Sequence, residues 1–172
     1  MAITPRLLIA LTALATVAAA PPAALTAPLT RADDTPGGSV TLRDGRGGVL
    51  VRVDATGLAP GWHAIHFHEK ATCADPGFKA SGGHVHAAKP VVHGLLNPAG
   101  NDQGDLPNIH ADETGRARAE VFSPLASLGG GKGRARLRDA DGSAFIVHAA
   151  ADDHRSQPIG GAGDRVACAV IR

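Results

Sequence analysis

Charge of one sign is what this sequence lacks first: 17 Lys and Arg stand against 16 Asp and Glu, a formal charge of +1. So small an imbalance gives no support to a nucleic-acid or anionic-membrane partner. Aromatic residues make up 3% of the chain, while glycine (22) and proline (12) are plentiful. That balance suits short strands and many turns better than long helices, and it implies an all-β fold. The 172 residues leave no room for a second catalytic domain. Gly129-Gly130-Gly131-Lys132-Gly133 is followed by Arg134 where a phosphate loop needs Ser or Thr, so a flexible turn is the better reading. Neither G-x-S-x-G nor H-E-x-x-H occurs, which removes the usual cues for a serine hydrolase or a zinc protease.

Long apolar stretches are also scarce, and the one present is N-terminal. Arg6 precedes an apolar run from Leu7 to Ala19 that ends in the small residues Val17-Ala18-Ala19-Ala20. This is the pattern of a secretory signal peptide, expected over residues 1–20 with a mature domain over 21–172. As an uncleaved anchor the run falls short of the roughly 20 apolar residues of a span, and Pro21-Pro22 follow it. Export places the chain in an oxidising compartment, where the only two cysteines, Cys73 and Cys168, read as one structural disulfide. A catalytic thiol is the competing reading, and it requires both to be free.

Period-2 alternation is clearest where Val49, Val51 and Val53 interleave with Leu50 and Arg52. With Asp, Gly and Pro clusters between such segments, it describes antiparallel strands. The expected strands are Ala24 to Arg31, Ser39 to Leu42, the Val49 segment, Trp62 to His68, Ala117 to Val121, Ala135 to Leu137, Ala144 to His148 and Arg165 to Ile171. Two long loops, about Glu69 to Asp112 and Ala149 to Asp164, hold most of the nine histidines. Loops of that length in a small domain are functional or disordered, and the histidines favour function.

In Trp62-His63-Ala64-Ile65-His66-Phe67-His68-Glu69, residues i and i+2 of a strand share a face. His66 and His68 therefore point together while Phe67 enters the opposite, apolar side. Such a two-pronged clamp suits copper or zinc, and a strand holds it more rigidly than a loop does. Further marks follow in order: Cys73, Gly82-Gly83-His84, His93, Gly104-Asp105-Leu106-Pro107, His148 with Asp152 four residues on, and Gly163-x-Arg165-x-Ala167-Cys168-x-Val170-Ile171.

In this order, from about Ala27 to Ile171, the chain resembles the Cu,Zn superoxide dismutase family of the bacterial secreted type. The resemblance implies a Greek-key antiparallel β-sandwich or barrel of about eight strands with two long functional loops. It implies copper on His66, His68, His84 and His148, with His84 bridging to zinc and His93 and Asp105 as further zinc ligands. Asp152 would link a copper histidine to a zinc histidine, and such groups fix tautomer and orientation. Arg165 would orient the substrate anion beside copper, His84 would carry a proton, Cys73 and Cys168 would form the family disulfide, and His63 would brace the site. The implied activity is conversion of superoxide to oxygen and hydrogen peroxide in the periplasm or outside the cell, with copper alternating in valence. The reading names no nucleic-acid partner and no membrane once the leader is cut, and it leaves a homodimer open.

One position departs from the family. A third zinc histidine normally stands three residues before the G-D-L-P aspartate, and here that residue is Asp102. Asp102 either ligates zinc through oxygen or caps a turn. His86, His110 and His154 match no family ligand and are expected to face solvent, with His86 the one that could substitute. Lys79 and Lys132 are distant candidates for attracting the anion. The reading from another class is a non-enzymatic, secreted copper-binding or metal-buffering protein on the same fold. An adhesion-type β-sandwich would leave the converging histidines unexplained.

Overall fold

Strand β3 (Gly48–Ala55) shows what drives the fold: Val49, Val51 and Val53 are buried, and Arg52 between them is exposed. A computed structural model describes residues 24–172, so the leader expected over residues 1–20 lies outside the described residues. The other strands are β1 (Ala24–Arg31), β2 (Pro36–Gly45), β4 (Gly61–His63), β5 (Ile65–His68), β6 (Ile109–Ala111), β7 (Ala117–Ser123), β8 (Ala126–Ser127), β9 (Ala135–Arg136), β10 (Ser143–His148) and β11 (Arg165–Ile171). Seven of them form one antiparallel sheet in the order β5-β10-β11-β1-β2-β3-β7. A single apolar cluster joins Val51 and Val53 near one end of that order to Phe67 and Phe145 near the other. The sheet therefore curls over its own core, and β11 returns from the far end of the chain to pair with β1, as a Greek key requires.

The expected strands are present, with four differences, one of them the unexpected two-residue β8, which pairs with β9. β2 runs from Pro36 to Gly45, longer than Ser39 to Leu42, because Gly38 to Gly45 pair with β3 and Pro36 pairs with Thr30 of β1. The segment from Trp62 to His68 breaks at Ala64 into two strands with different partners: β4 joins β6, and β5 joins β10. β6 itself lies inside what was expected to be loop, and its three residues are too few to show a period.

Parity in β5 and β10 creates the functional face. Ile65, Phe67, Phe145 and Val147 enter the main core, whereas Ala144, Ile146 and Cys168 of β11 pack outside it with Phe78 and Cys73. Phe67 lies opposite Phe145, and their rings meet edge-on at 6.0 Å. Burying each such side chain contributes roughly 1.5–3 kcal/mol, so the orientation of β5 is strongly set. His66 and His68 must then face outward, beneath the two loops. Cys73 and Cys168 are joined, tying the first loop to β11.

Candidate metal centre

The free edge of β5 positions the loop histidine and aspartate. Phe67 N–H donates to Gly104 O at 2.9 Å, Val85 N–H to Phe67 O at 2.9 Å, and Glu69 N–H to Gly83 O at 3.0 Å. These bonds lay residues 83–85 and 104 along the strand, so that His84 comes opposite His68 and Asp105 opposite His66. Gly104 is required by contact: a Cβ there would stand 2.4 Å from Phe67 O and 3.0 Å from the His84 Cβ. From the other side, a bulge between Val147 and His148 ends β10 and sets His148 against Arg165.

His66, His68, His84 and His148 converge, each buried, with one potential ligand atom from each lying within 4.8 Å of the others. In every ring one nitrogen is engaged. His66 Nε2 donates to Asp152 Oδ2 at 2.9 Å, and His68 Nδ1 to Gly82 O at 2.9 Å. His84 Nδ1 donates to Asp102 Oδ2 at 2.8 Å, and His148 Nδ1 to Gly163 O at 3.1 Å. The second nitrogen of each, His66 Nδ1, His68 Nε2, His84 Nε2 and His148 Nε2, is buried with no hydrogen-bond partner. Four unmet buried acceptors in one place are costly unless something satisfies them together. A metal that favours imidazole does so.

Burial lowers the pKa of His66 to about 4, of His68 to about 2 and of His148 to about 3; the hydrogen bond to Asp152 partly opposes this at His66, and the charge of His84 adds to it at His68. All three are neutral at pH 7, as ligation requires. In the metal-free chain the folded state therefore binds fewer protons than the unfolded state below about pH 6.5. Their contribution to stability is full above that pH and is lost as pH falls through about 4 toward 2. Thermal melts of chelator-stripped protein should accordingly show Tm falling from pH 6.5 to 4; a flat profile would contradict the neutral cluster.

A second cluster adjoins the first through His84. His93 Nδ1 lies 2.7 Å from Asp105 Oδ1 and 3.7 Å from Asp102 Oδ2, and His84 Nδ1 lies 3.3 Å from Asp105 Oδ1. Four ligands at zinc distances of about 2.0–2.1 Å stand roughly 3.3 Å apart along a tetrahedral edge. These spacings straddle that value, so His84, His93 and Asp105 fit zinc; the group whose ligand atoms all lie within 4.8 Å of one another joins them with His66, and Asp102 Oδ2 stands 2.8 Å from His84 Nδ1. Of the two roles expected of Asp102, the turn cap is present, Oδ1 accepting the Gly104 N–H at 2.9 Å, while Oδ2 accepts from His84 Nδ1 at 2.8 Å. Burial opposes protonation of His93, yet bonds to Asp102, Asp105 and Asp152 raise its pKa to about 11. Asp102 and Asp105 are held below the ordinary carboxylate range, their hydrogen bonds to His84 and His93 outweighing the cost of burial. Asp152 spans the clusters, Oδ2 on His66 and Oδ1 on His93 at 3.0 Å.

Above the first cluster opens a cavity of about 540 Å³ lined by His68, His84, His148 and Arg165. Arg165 donates from Nη1 to Phe78 O and Ser81 Oγ and from Nη2 to Gly82 O at 2.7 Å. Gly82 O thus fixes the arginine and His68 together. His63 bridges His148 O and Ala59 O as a brace. His110 is exposed, as expected, beside Trp62. His86 and His154 are not solvent-facing: their side chains are 16% and 17% exposed. His86 Nδ1 donates to His84 O and His86 belongs to neither cluster, and His154 lies against Asp152. Lys89 also lines the cavity, whereas Lys79 and Lys132 do not. Sequence reasoning passed over Lys89, Asn108 and Gln157; the only signal for Asn108 was its place one residue after the G-D-L-P run.

The family model for copper/zinc superoxide dismutase (SODC) matches residues 37–171. Among curated proteins, a superoxide dismutase [Cu-Zn] of Caulobacter vibrioides is 56% identical over 147 residues, 86% of this chain and 84% of the relative. One from Aquifex aeolicus is 40% identical over 136 residues, 78% and 79% of the two chains. Among solved structures, the Cu/Zn superoxide dismutase from Brucella abortus superimposes with a TM-score of 0.70 at 27% identity, over 87% of this chain and all of that one. A SOD-like protein from Bacillus subtilis gives 0.77 at 30% identity, over 86% and 97%.

Proposed function

The chain belongs to the copper/zinc superoxide dismutase family, and we propose that it converts superoxide to oxygen and hydrogen peroxide at the four-histidine cluster. The observation that carries this is the set of four unpartnered, buried ring nitrogens on His66, His68, His84 and His148. These atoms would hold copper, and His84, His93, Asp105 and Asp102 would hold zinc. Copper supplies a centre that can take one electron and return it, which zinc cannot do.

The protein's part is attraction, orientation and proton supply. Arg165 carries a permanent charge on a planar fork of donors suited to a two-oxygen anion, and its bonds to Phe78 O, Ser81 Oγ and Gly82 O hold that fork at the cavity wall. Lys89 adds a second cation there. His84 belongs to both clusters. With Nδ1 directed at Asp102 and Asp105, Nε2 is the atom on which it can hold a proton for the departing peroxide. Asp102 and Asp105 bring two negative charges to that ring and favour its protonated form.

A metal-buffering protein would need the four histidines but not a cavity with Arg165 fixed beside them. Arg165→Ala should keep its copper while the second-order rate with superoxide drops by about tenfold or more. Its decline with salt should also flatten, because steering is screened over a Debye length of roughly 8 Å at physiological ionic strength. Stopped-flow decay of superoxide across a salt series measures both; an unchanged rate at low salt would contradict the proposal. The leader pattern of residues 1–20 and the Cys73–Cys168 disulfide support a periplasmic or secreted location after cleavage.

A further inference from the structure

Two primary amides outside the ligand set lock the two long loops together, one from each side. Asn108, at the end of the first loop, donates from Nδ2 to Asp152 O at 2.8 Å and accepts the Asp152 N–H on Oδ1 at 2.9 Å. Gln157, in the second loop, accepts the His93 N–H on Oε1 at 2.9 Å and donates from Nε2 to His93 O at 2.9 Å. Each amide pairs both ways with the backbone of one residue, which restrains that residue's rotation as well as its position. The two residues so held are the ends of a single contact, Asp152 Oδ1 to His93 Nε2 at 3.0 Å.

We propose that Gln157 is a positioning residue that sets zinc affinity by holding His93 against Asp105 and Asp152, with Asn108 holding the other end of the contact. This rests on the reading of His93 as a zinc ligand. His93 lies outside every strand, so no ladder fixes its backbone. Its carbonyl has a second donor in Asn97 Nδ2 at 3.1 Å, whereas its N–H is given to Gln157 Oε1. Without the amide, the direction of the ring depends on its own bonds to Asp105 and Asp152. Copper depends less on this amide, because three of its four histidines, His66, His68 and His148, stand on β5 and β10. Groups that orient metal ligands typically change metal affinity by 10–100-fold when removed.

The test titrates zinc into the copper-loaded, full chain and into its Gln157→Leu variant, with competition against a chelator and with the copper EPR spectrum recorded in parallel. Zinc affinity should fall at least about tenfold. Copper affinity should stay within about twofold, since the strand-borne ligands keep their supports. Gln157→Glu, which keeps an acceptor for the His93 N–H but loses the donor, should fall between the two and serves if the leucine variant does not fold. Equal zinc affinity in variant and parent would overturn the proposal alone, as would a loss of copper as large as that of zinc. A parent chain that takes up no zinc would overturn the zinc reading and this proposal with it.

Discussion

Replacing His148 with alanine should abolish superoxide consumption while leaving the barrel folded. The substitution removes one of the four unpartnered nitrogens and nothing from the main core, since His148 stands at the end of β10 on the outward face. Its backbone N–H still donates to Ala64 O, so the pairing of β10 beyond the bulge survives. The rate should fall at least about a thousandfold, equivalent to ~4 kcal/mol of transition-state stabilisation. Copper content, circular dichroism and stopped-flow superoxide decay, measured on one preparation, check the three parts. A variant with near-normal turnover would remove His148 from the copper set.

Asp102→His should tighten zinc binding by about tenfold, and so enlarge the stabilisation that zinc adds to the folded state by the corresponding ~1.4 kcal/mol. Asp102 Oδ2 already stands beside His84 Nδ1 and His93 Nδ1, at 2.8 and 3.7 Å, so an imidazole placed there meets the same ion. The change replaces one of two anionic oxygens by a neutral nitrogen, which suits zinc better than the harder cations that two carboxylates favour. It also gives up the bond from Gly104 N–H to Asp102 Oδ1, about 1 kcal/mol that is lost with or without metal. Calorimetric zinc titrations of copper-loaded parent and variant measure the difference. Equal affinities would mean that carboxylate and imidazole serve alike at this position. His86 stands outside both groups of converging ligand atoms, its Nδ1 bonded to His84 O.

The part of the site built on strands was legible from residue spacing. His66-x-His68 predicts a shared face because strand side chains alternate, and Phe67 between them settles which face is apolar. The loop ligands were legible only through the family's ordered motifs, since nothing in the spacing of His84, His93 and Asp105 fixes a distance between them. What places them is the free edge of β5, whose backbone bonds to residues 83, 85 and 104 have no sequence signature. The pairing of β4 with β6 was hidden for a similar reason, three-residue strands carrying no period. His86 and His154 were misjudged as solvent-facing because side-chain burial inside a long loop depends on tertiary packing. Asn108 and Gln157 look like ordinary loop amides until the backbones of Asp152 and His93 come within reach.

The decisive measurement is the product balance when purified chain, loaded with copper and zinc, consumes excess superoxide with no added reductant. Dismutation predicts one oxygen and one hydrogen peroxide for every two superoxide ions, sustained over many turnovers per copper. Activity should vanish when copper is stripped and return with copper, not with zinc alone. Consumption that stops after about one electron per bound copper would identify a metal-binding protein without turnover, and would contradict the function drawn from the four histidines and Arg165.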